Sequence, residues 1–558
     1  MEKRHTDHHE LSALFVALTA ICIITALVPM GIEAREIRTI RIIGTSDMHG
    51  QMESWDYFAD TPLTGSGRGM AKICTYVKQA RAENPDTIVL DNGDTTQGTP
   101  LNYLYNVLRK NAHNPMAMAM NIIGYDSMTL GNHEFNFGID TLNRFASEAK
   151  FPVIAANVRK STDGSRMFAP YVIKDLSGIG IGIIGLTTPA IPRWERAENI
   201  AGLRFTDPVE EAKACVQELK SQGADVIVIT AHTGTNPDFG YGHEENFARD
   251  LAESVSGVDI VLAGHAHAAL NEDVKDVLIM EPRNAGISLC DVRIELTGSG
   301  SDWEISSKAG EVRSMSDVPE DPSFLALMMP YQDATRRYVN SPIGETTGEF
   351  PGGFAARMHD GPTVDLINLA QTEAAAEAGY PVDASCAALF SDHAMLPAGT
   401  IRLKAAYSLY QYDNTLFVVE ATGAIVKDVL EWNARYFDTY DGMTPLPTRN
   451  QSFPDYNYDM WSGIEYRVDV TKPVGERITE LRLNGMPVSE DQNITVAVNN
   501  YRATSQFIPR GARVLYSSTT EVRDLMVEYI SEHSPLEPEE CFMKNWELYP
   551  EFSQSELA

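Results

Sequence analysis

Cysteine is scarce in this chain: six among 558 residues, at Cys22, Cys74, Cys215, Cys290, Cys386 and Cys541, each isolated. No two have zinc-site spacing, and no disulfide framework is expected, one isolated bridge being left open. Those beyond the first 34 residues read as small buried apolar side chains. Positive charge is also short, with 45 Lys and Arg against 77 Asp and Glu, a formal net charge of −32. Unspecific binding to a nucleic-acid polymer requires lysine and arginine to neutralise phosphates, so no polymer partner is expected. Small phosphorylated molecules stay open as substrates, because bound metal cations can reverse the field inside an acidic cleft. The chain has no internal repeat, low-complexity tract or long run of like charge. Residues 531–558 lack the hydrophobic ending of a lipid-anchored precursor and read as an acidic tail that packs loosely.

What is present begins with an address. Lys3 and Arg4 precede an uncharged, mostly apolar stretch from Leu11 to Ile32 with a small residue at Ala34, the order of a secretory leader or, uncleaved, a signal anchor. Export to the periplasm or cell surface is expected, with membrane contact only through residues 1–34. The remaining length suits two sizeable domains. Residues 35–312 alternate strand-like and helical segments, an α/β pattern: Met70–Glu83, 140–149 and 208–222 read as helices. Residues 313–340 open with prolines and continue with a helical pattern, a linker and connecting helix, and a second domain spans 341–530.

Five short polar motifs each follow an apolar run: SDMHG at 46–50, NGDTTQG at 92–98, GNHEFNFG at 131–138, AHTG at 231–234 and GHAH at 264–267. The runs before them, 37–43, 87–90, 127–130, 226–229 and 260–262, read as buried strands. Side chains leaving the same ends of neighbouring strands converge, so residues remote in sequence can share a site. Asp47, His49, Asp94, Asn132, His232, His265 and His267 offer imidazole nitrogens and carboxylate or amide oxygens, donors that suit zinc, manganese or iron. Asp94 can bridge two cations, and such a pair can activate water for in-line attack on phosphorus. A lone Asp-x-His or His-x-His is usually a turn; five motifs in series make the metal reading the stronger one. His113, His243, His359, His393 and His533 have no ligand-like neighbours in sequence and read as surface or core residues.

On these motifs, residues 37–312 resemble the calcineurin-like metallophosphoesterase domain of the 5′-nucleotidase superfamily, and the rest resembles its C-terminal nucleotide-binding domain. The resemblance implies a four-layer α-β-β-α sandwich followed by a smaller α+β domain that rotates about the connector. It also implies two divalent metal ions, the first held by Asp47, His49, Asp94 and His267 and the second by Asp94, Asn132, His232 and His265. His133 would be the catalytic histidine. Where 5′-nucleotidases read GNHEFD, this chain has Asn136, an amide that can still orient an imidazole by hydrogen bonding. GNHEFN, with YNYDMWSGIEYRVDVTKP and VAVNNYRA, resembles the 2′,3′-cyclic-nucleotide 2′-phosphodiesterase/3′-nucleotidases. A 5′-nucleotidase or nucleotide-sugar diphosphatase on the same fold is the alternative, and a non-catalytic nucleotide-binding surface protein a more remote one.

By the same resemblance Tyr412 and Tyr501 sandwich the base of a small nucleotide, a stacking that tolerates any base, and Asn414 is a hydrogen-bond partner of base or ribose. The bland alternatives are a core tyrosine and a turn asparagine. Family members continue after NNYRA with paired glycines; this chain reads TSQF, so its backbone cannot approach a ribose as closely there. A monomer is expected.

Overall fold

The structure, a computed structural model, describes residues 35–552 apart from 58, 239–240, 301 and 413. The leader of residues 1–34 and the last six residues of the acidic tail lie outside the described residues. Among those described, no helix is long and apolar enough to cross a membrane.

Each apolar run becomes a strand, and because side chains alternate across a strand, each feeds two cores. Ile40 and Ile42, Ile88 and Leu90, and Val226 and Val228 share one cluster between two sheets. Their neighbours Ile43 and Val89 face outward onto helices Met70–Glu83 and Pro115–Ile123, while Ile227 and Ile229 face Ala212, Cys215 and Leu219 of helix Pro208–Ser221. Burial on both faces explains why runs such as Val226 to Ile229 and Ile260 to Leu262 are continuously apolar rather than alternating. The result is the expected four-layer α-β-β-α sandwich.

The first sheet runs Asp302–Ser314, Ser288–Ser299, Glu36–Thr45, Thr87–Asp91, Ser127–Thr129, Val153–Ile154, and the second Leu270–Val274, Val277–Glu281, Ile260–Leu262, Val226–His232, Ile179–Thr187, Tyr171–Leu176. Glu36–Thr45 is parallel to Thr87–Asp91, which is parallel to Ser127–Thr129. In the other sheet Val226–His232 is parallel to Ile179–Thr187 and to Ile260–Leu262. The C-terminal ends of these parallel strands therefore gather at one edge of the sandwich, where ligands of open α/β sheets bind.

Helix starts follow the sequence signals. Asp207 accepts from Val209 N and Glu210 N ahead of Pro208, and Asp321 accepts from Phe324 N ahead of Pro322, an acidic cap followed by proline in the first turn. Helix Pro322–Val339 is the connector, and its Phe324, Met328 and Ala334 pack onto the first domain.

The second domain holds a five-stranded sheet, Asp459–Ser462, Ala384–Ala388, Asn493–Asn499, Thr415–Thr422, Arg513–Glu521, around its own core. It corrects the reading of residues 531–558 as a loosely packed tail. Strand Trp546–Tyr549 pairs in parallel with Glu465–Asp469, and Cys541, Trp546, Leu548 and Phe552 are buried. Two carboxylates, buried Asp365 and half-buried Asp360, anchor it: Asp365 accepts from Met543 N at 2.8 Å, and Asp360 from Asn545 N at 2.5 Å and Trp546 N at 3.1 Å. Apolar burial and these bonds outweigh the segment's acidic composition. All five described cysteines are free and buried, as expected.

Candidate active site

The five motifs meet at the shared strand edge. Asp47 and His49 follow strand Glu36–Thr45, Asp94 follows Thr87–Asp91, Asn132 follows Ser127–Thr129, His232 ends Val226–His232, and His265 and His267 follow Ile260–Leu262. Five of these seven, Asp47, His49, Asp94, His265 and His267, have φ between 47° and 73°. Left-handed backbone is uncommon and costly for residues with a side chain, and it gathers where function over-determines the conformation. Gly131 permits a close approach: a Cβ there would fall onto Asp94 Oδ1.

Glu134, not singled out in the sequence reading, ties two of the motifs together. Its buried carboxylate accepts from Asp94 N (2.7 Å), Thr95 N (2.8 Å), Thr96 N (3.0 Å) and Gly131 N (2.8 Å). The Asp94 loop and the Asn132 loop are thereby fixed to one another.

Two donor groups form, Asp47 with His49 and His267, and Asp94 with His232 and His265; within each the ligand atoms lie within 4.8 Å of one another. The hydrogen bonds of the imidazoles fix which nitrogen is free. His232 Nδ1 donates to Asn92 O at 2.8 Å, so Nε2 is the atom directed at Asp94 Oδ2 at 3.0 Å and Asn132 Oδ1 at 3.1 Å. His49 Nδ1 donates to Gln97 O at 3.0 Å, and its Nε2 faces His267 Nε2 at 3.2 Å. His267 Nε2 is also 3.2 Å from Asp47 Oδ1, a buried oxygen that makes no well-aligned hydrogen bond. His265 Nε2 donates to Glu245 Oε1 at 2.9 Å, leaving Nδ1 as its donor atom. Such outer partners orient metal-binding imidazoles. Imidazole nitrogens and carboxylate oxygens packed this closely in a buried site need a proton or a cation between them, and this nitrogen and oxygen donor set fits a divalent metal.

The electrostatics agree. Burial depresses the His232 imidazole, yet Asp94 and Asp47 outweigh it and raise its pKa to about 10. Burial, with His133 and His267 alongside, lowers His49 to about 4 although Asp94 opposes. Burial opposes ionisation of Asp47 and Asp94, but the surrounding imidazoles hold both below the usual carboxylate range. The site is thus arranged for carboxylates that stay charged around positive charge.

His133 and Asn136 stand beside these donors. His133 Nδ1 donates to Asn136 Oδ1 at 2.6 Å, and its Nε2 lies 3.9 Å from Asp94 Oδ2.

A cleft of about 930 Å³ joins this centre to the second domain, lined by His49, His133 and His267 on one side and Tyr412, His393 and Lys404 on the other. Tyr412 and Tyr501 are 42% and 40% exposed, which rules out the core-tyrosine reading. Tyr456, missed in the sequence, stands edge-on to both, at 6.3 Å and 78° to Tyr412 and 6.5 Å and 77° to Tyr501. Phe390 buttresses Tyr412 at 5.0 Å and 88°. Asn414 is half-buried; its carbonyl accepts from Val522 N at 2.8 Å, and its side chain lies near the buried Tyr410 hydroxyl. Where the family has glycines, residues Ala503–Phe507 form a π-helical turn. His393 is exposed and lines the cleft, and like His113, His243, His359 and His533 it joins neither donor group.

Comparison with known proteins agrees with this geometry. Residues 40–269 match the calcineurin-like phosphoesterase family and residues 342–507 the 5′-nucleotidase C-terminal domain. A 2′,3′-cyclic-nucleotide 2′-phosphodiesterase/3′-nucleotidase of Haemophilus influenzae is 31% identical over 92% of this chain and 87% of its own. The chain belongs to the 5′-nucleotidase superfamily of metallophosphoesterases. Membership makes it a metal-dependent phosphoester hydrolase. The trifunctional nucleotide phosphoesterase protein YfkN of Bacillus subtilis is 29% identical over 99% of the chain, which spans 42% of that longer protein. A solved Staphylococcus aureus structure described as a 5′-nucleotidase superposes with a TM-score of 0.76 at 25% identity, covering 92% of this chain and 100% of that one.

Proposed function

We propose that the protein is an exported two-metal phosphohydrolase that opens 2′,3′-cyclic nucleotides at the 2′ bond and then removes the 3′-phosphate. The observation that carries this reading is the cleft joining His133 and the first donor group's His49 and His267 to exposed Tyr412. Asn136 in place of an acidic partner, and the activity for which the Haemophilus relative is named, favour the cyclic and 3′ substrates over 5′-nucleotides. Export rests on the basic and then apolar order of residues 3–34.

Asp47, His49, Asp94 and His267 would hold one cation, and Asp94, Asn132, His232 and His265 the other. Divalent cations in such a centre supply Lewis acidity, activating water and neutralising charge on the phosphate. The chain's own contribution is placement and proton handling. Tyr412 in the cleft, with Tyr501 beyond Tyr456, would offer aromatic faces to a base, and the cleft leads the attached phosphate toward His49 and His133. With the Nδ1 proton held by Asn136 Oδ1, His133 presents Nε2 to the cleft. There Nε2, when protonated, donates to a phosphate oxygen or to the departing ribose oxygen, and takes a proton back when neutral.

Phosphate release from purified protein with cyclic 2′,3′-AMP, 3′-AMP, 5′-AMP and a bis-ester, repeated with His133→Ala, tests this. Cyclic 2′,3′-AMP and 3′-AMP should be preferred and the variant should lose turnover. Preference for 5′-AMP overturns the substrate assignment, and unchanged turnover in His133→Ala removes that residue from the mechanism.

A further inference from the structure

Asn136 does more than accept from His133. Its amide nitrogen donates to Glu195 Oε2 at 2.7 Å. Glu195 is held in turn, its Oε1 accepting from Asn199 Nδ2 and from Arg196 N, each at 2.8 Å. Asn199 Nδ2 also donates to the Asn136 carbonyl at 2.7 Å, closing a ring around Asn136. An amide by itself is ambivalent. Turned by half a revolution it would point its NH₂ at His133, whose Nδ1 would then have to accept and whose proton would move to Nε2. A carboxylate offers acceptors only, so Glu195 draws the amide nitrogen to itself and leaves the oxygen for His133.

We propose that Glu195 is a positioning residue for the reaction: it locks the Asn136 amide so that His133 keeps its proton on Nδ1 and opens Nε2 to the cleft. The inference rests on the role given to His133 above. A neutral amide against the imidazole and a carboxylate behind it do together what one carboxylate could do in direct contact. The pair must therefore match in kind. Asn136→Asp alone would set two carboxylates face to face across the present 2.7 Å hydrogen bond. Adding Glu195→Gln restores an N–H donor to that gap, because the new amide can donate to the new acid.

The test measures kcat and KM, on whichever phosphoester turns over fastest, for wild type, Glu195→Gln, Asn136→Asp, the double variant and His133→Ala. Glu195→Gln should lower kcat by about 10- to 100-fold with KM changed less than about 2-fold, a share of the roughly 10²- to 10⁴-fold that a placed proton-transfer group contributes. Asn136→Asp should also lose kcat, and the double variant should recover at least about 10-fold over Asn136→Asp. Long-range ¹⁵N–¹H spectra of labelled histidine should show Nδ1–H at His133 in wild type and a mixture with Nε2–H in Glu195→Gln. A wild-type kcat in Glu195→Gln, or a double-variant loss equal to the product of the single losses, overturns the proposal. Full turnover in His133→Ala would instead remove the role of His133 on which it stands, so the two failures are told apart.

Discussion

Replacing Glu134 with glutamine keeps the side chain's shape and removes half of its acceptors. In the native site Oε2 takes Asp94 N and Gly131 N while Oε1 takes Thr95 N and Thr96 N. Whichever way the new amide turns, its NH₂ meets two backbone N–H groups in a buried site. Each hydrogen bond to a charged acceptor is worth roughly 1.5–3 kcal/mol, so losing two costs roughly 3–6 kcal/mol. Part of that is returned: burial and the nearby Asp94 push the Glu134 carboxyl up, and a neutral amide escapes this penalty. The lower end, about 3 kcal/mol, is the working figure. At about 2–4 °C per kcal/mol for a domain of this class, the phosphoesterase transition should fall by roughly 6–12 °C in calorimetry, with the second domain's transition unmoved. A shift under about 2 °C would contradict the argument that Glu134 clamps the two loops.

Other outcomes follow from the same structure. Tyr412→Ala and Tyr501→Ala should each raise KM for nucleotides by roughly 5- to 150-fold, from stacking worth about 1–3 kcal/mol per base, while leaving hydrolysis of a base-free phosphoester intact; equal losses on both substrates would refute the aromatic slot. Burial first, and Asp360 beside it, push Asp365 up to about 7. Its folded pKa lies above the unfolded value, so the folded state holds more protons between about pH 4 and 7. That stabilisation is full below about pH 4 and is lost as pH rises through 7. The urea midpoint of the second domain should accordingly fall from pH 5 to pH 8 in wild type, and Asp365→Asn should flatten the slope; an unchanged slope rejects the assignment.

The first domain was legible because its strands are buried on both faces: Val226 to Ile229 and Ile260 to Leu262 read as unbroken apolar runs, and the donor residues sit at or just past the ends of the strands. Helix Met70–Glu83 matches its expected bounds, and Pro208–Ser221 differs by one residue at its end. The supporting carboxylates were not legible. Glu134, Glu195 and Glu245 act through backbone N–H groups or through another side chain, and nothing local separates them from a solvated glutamate. Tyr456 belongs to the slot only because strand Asp459–Ser462 brings its preceding loop beside Tyr412 and Tyr501. The C-terminal segment misled for a related reason: WELY is four residues in acidic surroundings, and its pairing with Glu465–Asp469 is a long-range contact that composition does not carry.

The claim on which the rest depends is that Asp47, His49, Asp94, Asn132, His232, His265 and His267 hold divalent cations that the chemistry needs. Metal content and phosphate release, measured on the same sample before chelation, after it and after adding back manganese or zinc, address it directly. The account predicts two equivalents of metal per chain, turnover that vanishes as they are removed, and recovery on their return. Undiminished hydrolysis by protein stripped of metal would contradict it.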